Sequence, residues 1–342
     1  MNNTTLCDAA VYIAEDYLFK AILLSRILLS VIAVVLILAL LCNQGPYLEY
    51  HKNARILLLS HHFSVLLQGV ATIALHSADL LKFSNYEEPC DLLTSGTRCQ
   101  LLRYPVTITY YTTIWTQFMM AIERVVATRL FHTYEQSGAL LGYILALLQW
   151  ILPFITLGIM VYDTDPLISL SYCAIANKYN KQRISLISFF LATTEIVALA
   201  MFYYILYINQ VKRKKLHYAS LTEKYQMDEN IRATKLMIPM VWMHFLFFFV
   251  PLCFFAVYPA IKRDIDPRDY PFLMETMSWQ PIYCVLLPLL LFWRKKIVRR
   301  SQLNLVDRIS ANCSDALEVR TDGRTQEQIR HFELLKTIWN PE

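Results

Sequence analysis

The sequence predicts an all-α membrane protein, a bundle of seven transmembrane helices with an outside N-terminus and a cytoplasmic C-terminus. Three observations predict it. Hydrophobic residues make up 56% of the 342 residues and charged residues 17%, which is too little charge to coat a soluble protein of this size. The apolar residues form blocks long enough to cross a hydrocarbon core of about 30 Å. Lys and Arg concentrate in the segments that would share one side of the membrane.

The apolar blocks divide the chain into three regions. Residues 1–20 are interpreted as a short extracellular N-terminus without the apolar region of a signal peptide. Residues 21–300 are interpreted as the seven-helix domain, and residues 301–342 as a polar cytoplasmic tail. The predicted spans are residues 21–42, 56–81, 101–126, 138–162, 184–209, 236–258 and 272–293.

The distribution of basic residues orients this bundle. With the N-terminus outside, the cytoplasmic side receives the basic runs Lys212–Lys215 and 294–300, as the positive-inside rule requires. Two overlapping glycosylation sequons, which begin at Asn2 and Asn3, then lie outside. They are glycosylation candidates, although such triplets are also common by chance.

The third span is the one around which the other helices are interpreted. It begins after Cys99 and ends near Glu123 and Arg124, a distance of roughly 37 Å along a helix that rises 1.5 Å per residue. The cysteine therefore lies at the outer surface and the charged pair at the inner one.

Four cysteines fall on the oxidising outer side: Cys7, Cys90, Cys99 and Cys173. A Cys99–Cys173 disulfide would hold the loop after the fourth span over the outer mouth of the bundle. Cys7–Cys90 is a weaker second pair. Free thiols, or pairing of Cys99 with Cys90 or Cys7, are the alternatives.

Seven helices, Cys99 at the head of the third span, Glu123-Arg124 at its inner end and Trp150 in the fourth together resemble a rhodopsin-like G-protein-coupled receptor. The resemblance implies that the acid–arginine pair holds the resting state and then releases the arginine toward the G protein. The chain departs from the typical pattern, because the seventh span has Leu287-Pro288 where an Asn-Pro motif is usual. It therefore represents a divergent branch.

The segment after the fifth span identifies that branch. Residues 220–226 (SLTEKYQ) and 228–231 (DENI) are similar to the loop signature of nematode serpentine chemoreceptors of the Sra superfamily, with the Srab class favoured. The early LCDA and the run ERVVAT, residues 123–128, also fit it. The resemblance implies a chemosensory receptor in the plasma membrane of a sensory neuron, with a small-molecule ligand and a heterotrimeric G protein as partners. Residues 225–235 are expected to extend the sixth helix beyond the membrane.

Ligand contacts are predicted from polar and aromatic residues at comparable depth. Arg103, Thr107, Tyr110 and Gln117 share one face of the third span. The ligand-pocket candidates are Thr107, Tyr110, Glu195, His244, Trp279 and Gln280, and ordinary interhelical hydrogen bonding is the alternative for each. Glu195 stands out because an intramembrane carboxylate is costly unless it has a function or a partner.

Other polar residues receive structural interpretations. Arg26, near the outer end of the first span, is expected to reach the membrane interface with its charge, and a role as a ligand contact or helix partner is the alternative. His61, His62 and His76 are expected to hydrogen-bond between helices.

The remaining function classes are disfavoured by what the sequence lacks. The sequence has no Cys/His cluster at metal-ligand spacing and no nucleophile motif. We therefore expect no bound metal, no other cofactor and no enzymatic activity. The net charge of +5 does not imply nucleic acid, and the only other expected partner is membrane lipid. A ligand-gated channel, a transporter, and a non-signalling subunit of another receptor remain alternatives.

Overall fold

The computed structural model describes residues 3–42, 50–131, 133–134, 138–162, 168–174, 180–215, 221–261, 268–294 and 332–333. Its helices are α1 (Asn3–Glu15), α2 (Tyr17–Cys42), α3 (Lys52–Ser84), α4 (Gly96–Arg129), α5 (Leu140–Val161), α6 (Lys181–Lys215), α7 (Leu221–Ile261), α8 (Asp269–Met277) and α9 (280–294). A short 3-10 helix, Pro89–Leu92, and strands β1 (Thr94–Ser95) and β2 (Ser169–Leu170) complete the described elements. Residues 1–291 form one compact unit, and a second unit begins at Phe292.

Each predicted span coincides with a helix. The first six correspond to α2 through α7, and the seventh is divided into α8 and α9 by a break at Ser278 and Trp279. Most helices extend a few residues beyond the predicted bounds, because charged and polar residues continue the helical pattern outside the apolar block. The expected extension of the sixth helix is confirmed, since α7 already begins at Leu221.

Within the described residues, six stretches are long and apolar enough to cross a membrane: α2, α3, α5, α6, Glu223–Tyr258 within α7, and Asp269–Arg294 across α8 and α9. Of the seven predicted spans, the exception is the third, α4. This helix packs against α3, α5, α6 and α7 and is the central helix of the bundle. It buries many polar side chains, among them Arg103, Glu123 and Arg124. The low hydropathy of α4 is therefore explained by its position, because its side chains contact other helices rather than lipid.

Several threonines of α4 donate their hydroxyl hydrogens to backbone carbonyls of the same helix. Thr107 donates to the Arg103 carbonyl at 3.1 Å, and Thr112 and Thr116 bond in the same way to the carbonyls four residues earlier. This pattern lets hydroxyl side chains lie in an apolar interior without leaving an unpaired donor.

The N-terminal segment contains a helix that the sequence did not indicate. α1 buries Ala9, Ala10 and Ile13 and is joined to the 3-10 helix by a disulfide between Cys7 and Cys90. The sequon residue Asn3 is the first residue of α1, and Asn2 lies outside the described residues.

A second disulfide joins Cys99, near the start of α4, to Cys173, with the two Cα atoms 5.1 Å apart. Next to it β1 pairs with β2 in an antiparallel register, and the Gly96 amide donates to the Ile168 carbonyl at 2.8 Å. These contacts fix the segment 168–174 against this end of the bundle, called the Cys99 end below. The opposite end is called the Arg124 end.

Helices α3 and α5 meet closely at Gly142. Its amide donates to Asn53 Oδ1 at 2.9 Å, and a Cβ at this position would lie 2.8 Å from the Asn53 Cα. Backbone this close leaves no room for a side chain, so the contact requires glycine.

Gly142→Ala is therefore expected to lower the Tm of the purified, detergent-solubilised receptor, at a cost of about 1–3 kcal/mol, as overpacking usually does. Gly158→Ala is the matched control on the same helix, because a Cβ there meets nothing within 4 Å. That change should leave the Tm unchanged or raise it, since alanine favours a helix. Equal effects of the two substitutions in a thermal-unfolding assay would contradict this packing.

Candidate functional site

The Arg124 end of α4 carries a buried ion pair between neighbouring residues. Arg124 donates Nε to Glu123 Oε2 at 2.5 Å and Nη2 to Glu123 Oε1 at 2.6 Å. Arg124 is 2% exposed and Glu123 is fully buried. A bidentate guanidinium–carboxylate pair of this kind is strong and directional, so the arginine is held along its own helix.

Glu123 has a further donor from outside the helices. Tyr134 donates its hydroxyl to Glu123 Oε1 and accepts a hydrogen bond from Asn53 Nδ2 at 3.4 Å. Burial, with the Glu123 carboxylate acting in the same direction, raises the pKa of Tyr134. The phenol therefore keeps its proton, and one hydroxyl joins α4 to the start of α3.

Arg124 also reaches α7. Its Nη1 donates to Asn230 Oδ1 at 3.3 Å, and Asn230 Nδ2 donates to Thr128 Oγ1 at 3.3 Å. Asn209, near the end of α6, donates to the same Thr128 hydroxyl at 3.1 Å. Three helices are thus connected at the Arg124 end by side-chain hydrogen bonds.

An open cleft lies beside these contacts. Its lining residues include Arg124 of α4, Phe131 and Tyr134 of the segment after it, and Gln226 and Asn230 of α7. Arg124 and Glu229 are charged residues of this lining. Separation of α7 from α4 would break the Asn230 bond and expose the guanidinium in this cleft.

The middle of the bundle holds a cluster of aromatic and titratable side chains. His244 Nδ1 lies 3.1 Å from Glu195 Oε2, which joins α7 to α6. The His244 ring stacks on Phe248 with the two centroids 4.0 Å apart. Tyr110 of α4 also stacks on Phe248, with a centroid distance of 5.0 Å. Tyr283 of α9 packs its edge against both His244 and Phe248.

Three of the six predicted ligand residues, Tyr110, Glu195 and His244, therefore belong to one cluster. The other three have different contacts. Thr107 bonds to its own helix backbone, Gln280 accepts from Gln68 Nε2 at 2.7 Å, and Trp279 lies half-buried at the break between α8 and α9.

The three histidines of α3 are buried, and their contacts differ. His61 is hydrogen-bonded to the Tyr283 hydroxyl at 2.7 Å, across to α9, as an interhelical role requires. His62 instead contacts the Leu58 carbonyl of its own helix at 2.5 Å. Within the described residues, no group of three or more His, Cys, Asp or Glu side chains is arranged to hold a metal ion.

The Cys99 end contains a charge cluster centred on Glu275. Its carboxylate lies 2.7 Å from Arg26 Nη1 and 2.6 Å from Arg103 Nη2, and it also accepts from the Tyr172 hydroxyl at 3.0 Å. The expectation that Arg26 reaches the membrane interface is wrong, because its side chain is buried and also donates to the Glu275 carbonyl at 2.8 Å. A buried carboxylate partner is available, so the guanidinium turns inward.

Glu275 is the principal residue that the sequence analysis missed. A signal existed, since Arg26, Arg103 and Glu275 all lie toward the same end of their spans and would not be buried without partners. Asn230 was part of a recognised sequence signature but had no assigned role, and the structure gives it one as the α7 contact of Arg124.

Six apolar helical stretches around a polar central helix, with a disulfide at one end and a buried Glu–Arg pair at the other, define a multi-pass membrane receptor of the seven-helix class. The model of the serpentine type 7TM GPCR receptor class ab chemoreceptor family matches residues 4–319. The chain belongs to this family, which confirms both the predicted seven-helix fold and the Srab resemblance.

Individual relatives agree with this assignment. Serpentine receptor class alpha/beta-14 of Caenorhabditis elegans is 29% identical over 275 residues, which cover 75% of this chain and 67% of the relative. Serpentine receptor class beta-17 of the same organism is 28% identical over 286 residues, 80% of this chain and 76% of the relative. Serpentine receptor class alpha-10 of Caenorhabditis elegans is 22% identical over 293 residues, which cover 85% of this chain and 83% of the relative.

Glu275→Gln is expected to reduce strongly the yield of folded receptor. Two buried arginines would lose their counter-charge, and breaking a buried pair from one side typically costs about 3–5 kcal/mol. Fluorescence-detected size-exclusion chromatography of the solubilised receptor would measure the monodisperse fraction. Asp269→Asn, at an exposed position on the same helix, is the matched control and should behave as wild type.

The double variant Glu275→Gln with Arg26→Gln should recover part of the loss, because one uncompensated charge is removed. If Glu275→Gln gave wild-type yield, the cluster would not stabilise the Cys99 end.

Proposed function

We propose that this protein is a chemosensory receptor that binds a small chemical cue and activates a heterotrimeric G protein. The membership in a chemoreceptor family supports the first part. The single observation that carries the second is the buried Arg124, held by Glu123 and bonded to Asn230 of α7 at the edge of an open cleft.

The orientation in this proposal places the Cys99 end outside and the Arg124 end in the cytoplasm. The basic last turn of α6, Lys212–Lys215, supports it through the positive-inside rule. Both disulfides lie at the Cys99 end, where an oxidising environment would maintain them. The proposed domain organisation is unchanged: residues 1–20 outside, the bundle within 21–300 and the tail 301–342 in the cytoplasm.

The proposed signal passes from the middle cluster to the Arg124 end along α7. His244 and Asn230 lie on this one helix, fourteen residues apart, which corresponds to roughly 21 Å at 1.5 Å per residue. Pro239 and Pro251 interrupt the backbone hydrogen bonds of α7 and make bending less costly. A ligand that displaces α7 would break the Arg124–Asn230 contact.

The proposed ligand site includes Tyr110, Glu195 and His244. Thr107, Trp279 and Gln280 are candidates for additional contacts toward the Cys99 end. The proposed site of action is the plasma membrane of a sensory neuron, in keeping with the chemoreceptor description of the family.

The switch is tested without a ligand, through basal G-protein activation in membranes that contain the receptor and a panel of Gα subunits. Glu123→Gln removes the charge that holds Arg124. A hydrogen bond to a charged group is worth about 1.5–3 kcal/mol, so basal nucleotide exchange per surface receptor is expected to rise several-fold. Arg124→Ala, alone or combined with Glu123→Gln, should abolish this increase.

Glu87→Gln is the matched control for the first variant, because Glu87 is exposed and distant in sequence from the switch. It should leave basal exchange unchanged. Wild-type exchange in Glu123→Gln, or an increase that persists after Arg124→Ala, would contradict the proposed role of the pair.

A further inference from the structure

Three glutamates are buried among the described residues: Glu123, Glu195 and Glu275. Glu123 is paired with Arg124, and the other two differ in how their charge is compensated. Glu275 is bound by two arginines, whereas the ion-pair partner of Glu195 among the described residues is His244. Glu195 is 3% exposed, and its second oxygen, Oε1, has no hydrogen-bond partner in the described part of the chain. Burial of a carboxylate oxygen without a hydrogen-bond partner is costly. Glu275 is therefore a structural residue, whereas Glu195 has an oxygen that can still bind a ligand.

His244 does not remove this capacity. A carboxylate only accepts hydrogen bonds, so His244 Nδ1 must donate to Glu195 Oε2. This contact uses one carboxylate oxygen, and Oε1 stays available to accept a hydrogen bond from a bound cation.

The neighbours of Glu195 include a second polar atom without a partner. The Tyr110 hydroxyl is buried and makes no hydrogen bond within the described residues, and Tyr110 lies close enough to Glu195 for an electrostatic interaction. Two polar atoms from α4 and α6 are therefore both available to a bound group.

Aromatic rings surround these polar atoms. Tyr110 stacks on Phe248 at 5.0 Å, and the edge of Tyr283 approaches Phe248 at 5.1 Å between centroids. The faces of such rings attract organic cations. An anion would meet a carboxylate and negative ring faces, and a neutral alcohol would gain a hydrogen bond without the charge.

We propose that Glu195 is the counter-ion for a small organic cation and that the receptor binds primary amines. The ammonium donates to Glu195 Oε1 and to the Tyr110 hydroxyl oxygen, while its carbon skeleton packs on the aromatic rings. His244 is a positioning residue that orients Glu195 from the other side. This inference rests on the proposed function, and it specifies the chemical class of the cue.

The test uses the purified full-length receptor in detergent and triplets of probes that share one skeleton. Butylamine, butanol and butyric acid form one triplet, and 2-phenylethylamine, 2-phenylethanol and phenylacetic acid form another. A compound that binds the folded state raises the Tm. The expected result is that at least one amine raises the Tm in a saturable manner, and that its alcohol and acid counterparts do not.

Three variants locate the binding. Glu195→Gln should weaken the amine response at least about tenfold, as expected for the loss of a charged hydrogen bond. Tyr110→Phe keeps the stacked ring and should weaken it several-fold, which provides a second measurement if Glu195→Gln does not fold. Glu87→Gln, an exposed control, should bind the amine as wild type does.

Three outcomes would overturn the inference. They are equal stabilisation by an acid or alcohol, an undiminished amine response in Glu195→Gln, and no saturable shift with any amine, which would mean that water alone occupies the site. None of these would affect the basal G-protein measurements on Glu123 and Arg124. A failure of this inference is therefore distinguishable from a failure of the proposed function.

Discussion

The burial of charged and polar side chains on α4 is the constraint on which the rest of the bundle depends. A polar group without a partner in such an interior costs several kcal/mol, so each one determines what must lie beside it. Thr107, Thr112 and Thr116 donate to backbone carbonyls of their own helix. Arg103 and Arg124 need partners elsewhere. Arg103 requires the carboxylate of Glu275 on α8, and Arg124 requires Glu123 and Asn230.

The two ends of α4 satisfy this constraint by different means. At the Cys99 end one disulfide joins α1 to the 3-10 helix and another joins α4 to the segment 168–174. Ion pairs of the Glu275 cluster connect α2, α4 and α8. At the Arg124 end an exposed ion pair between Arg213 and Asp228 joins α6 to α7. The contacts of α4 with these two helices are hydrogen bonds of 3.1 to 3.5 Å, such as Asn209–Thr128 and Lys212 to the Thr128 carbonyl. Net contributions are about 1 kcal/mol for a neutral bond of this kind and about 1.5–3 kcal/mol for one with a charged donor, less than the covalent and ionic contacts of the other end. The second end is therefore the one that separates at low cost, which suits a helix switch.

Sequence reasoning predicted the parts of the molecule that follow from local chemistry. Apolar block length located the helices, and the spacing of Cys99 from Arg124 identified the central one. It could not choose partners across the bundle, since this depends on helix rotation and packing. Arg26 shows the difference: its position suggested the interface, yet Glu275, nearly 250 residues later, lies beside it. The helical state of residues 3–15 was also missed, because its anchor is the distant Cys90.

The ligand candidates show the same limit at finer scale. Polarity and depth selected six residues, and the structure joins Tyr110, Glu195 and His244 through Phe248. Phe248 carried no polar signal in the sequence. The aromatic ring that organises the cluster is visible only once α4, α6 and α7 are placed together.

The central claim is that Glu123 holds Arg124 in position and that Arg124 keeps α7 beside α4 through its bond to Asn230. The separation of nitroxide labels at Leu130→Cys and Tyr225→Cys, both exposed positions, tests it most directly. The background would be a receptor in which the free cysteines Cys42, Cys253 and Cys284 are replaced, together with Cys313 of the C-terminal region. Pulsed electron paramagnetic resonance should show one distance for wild type and an added, longer population for Glu123→Gln. Identical distance distributions in the two receptors would contradict the account.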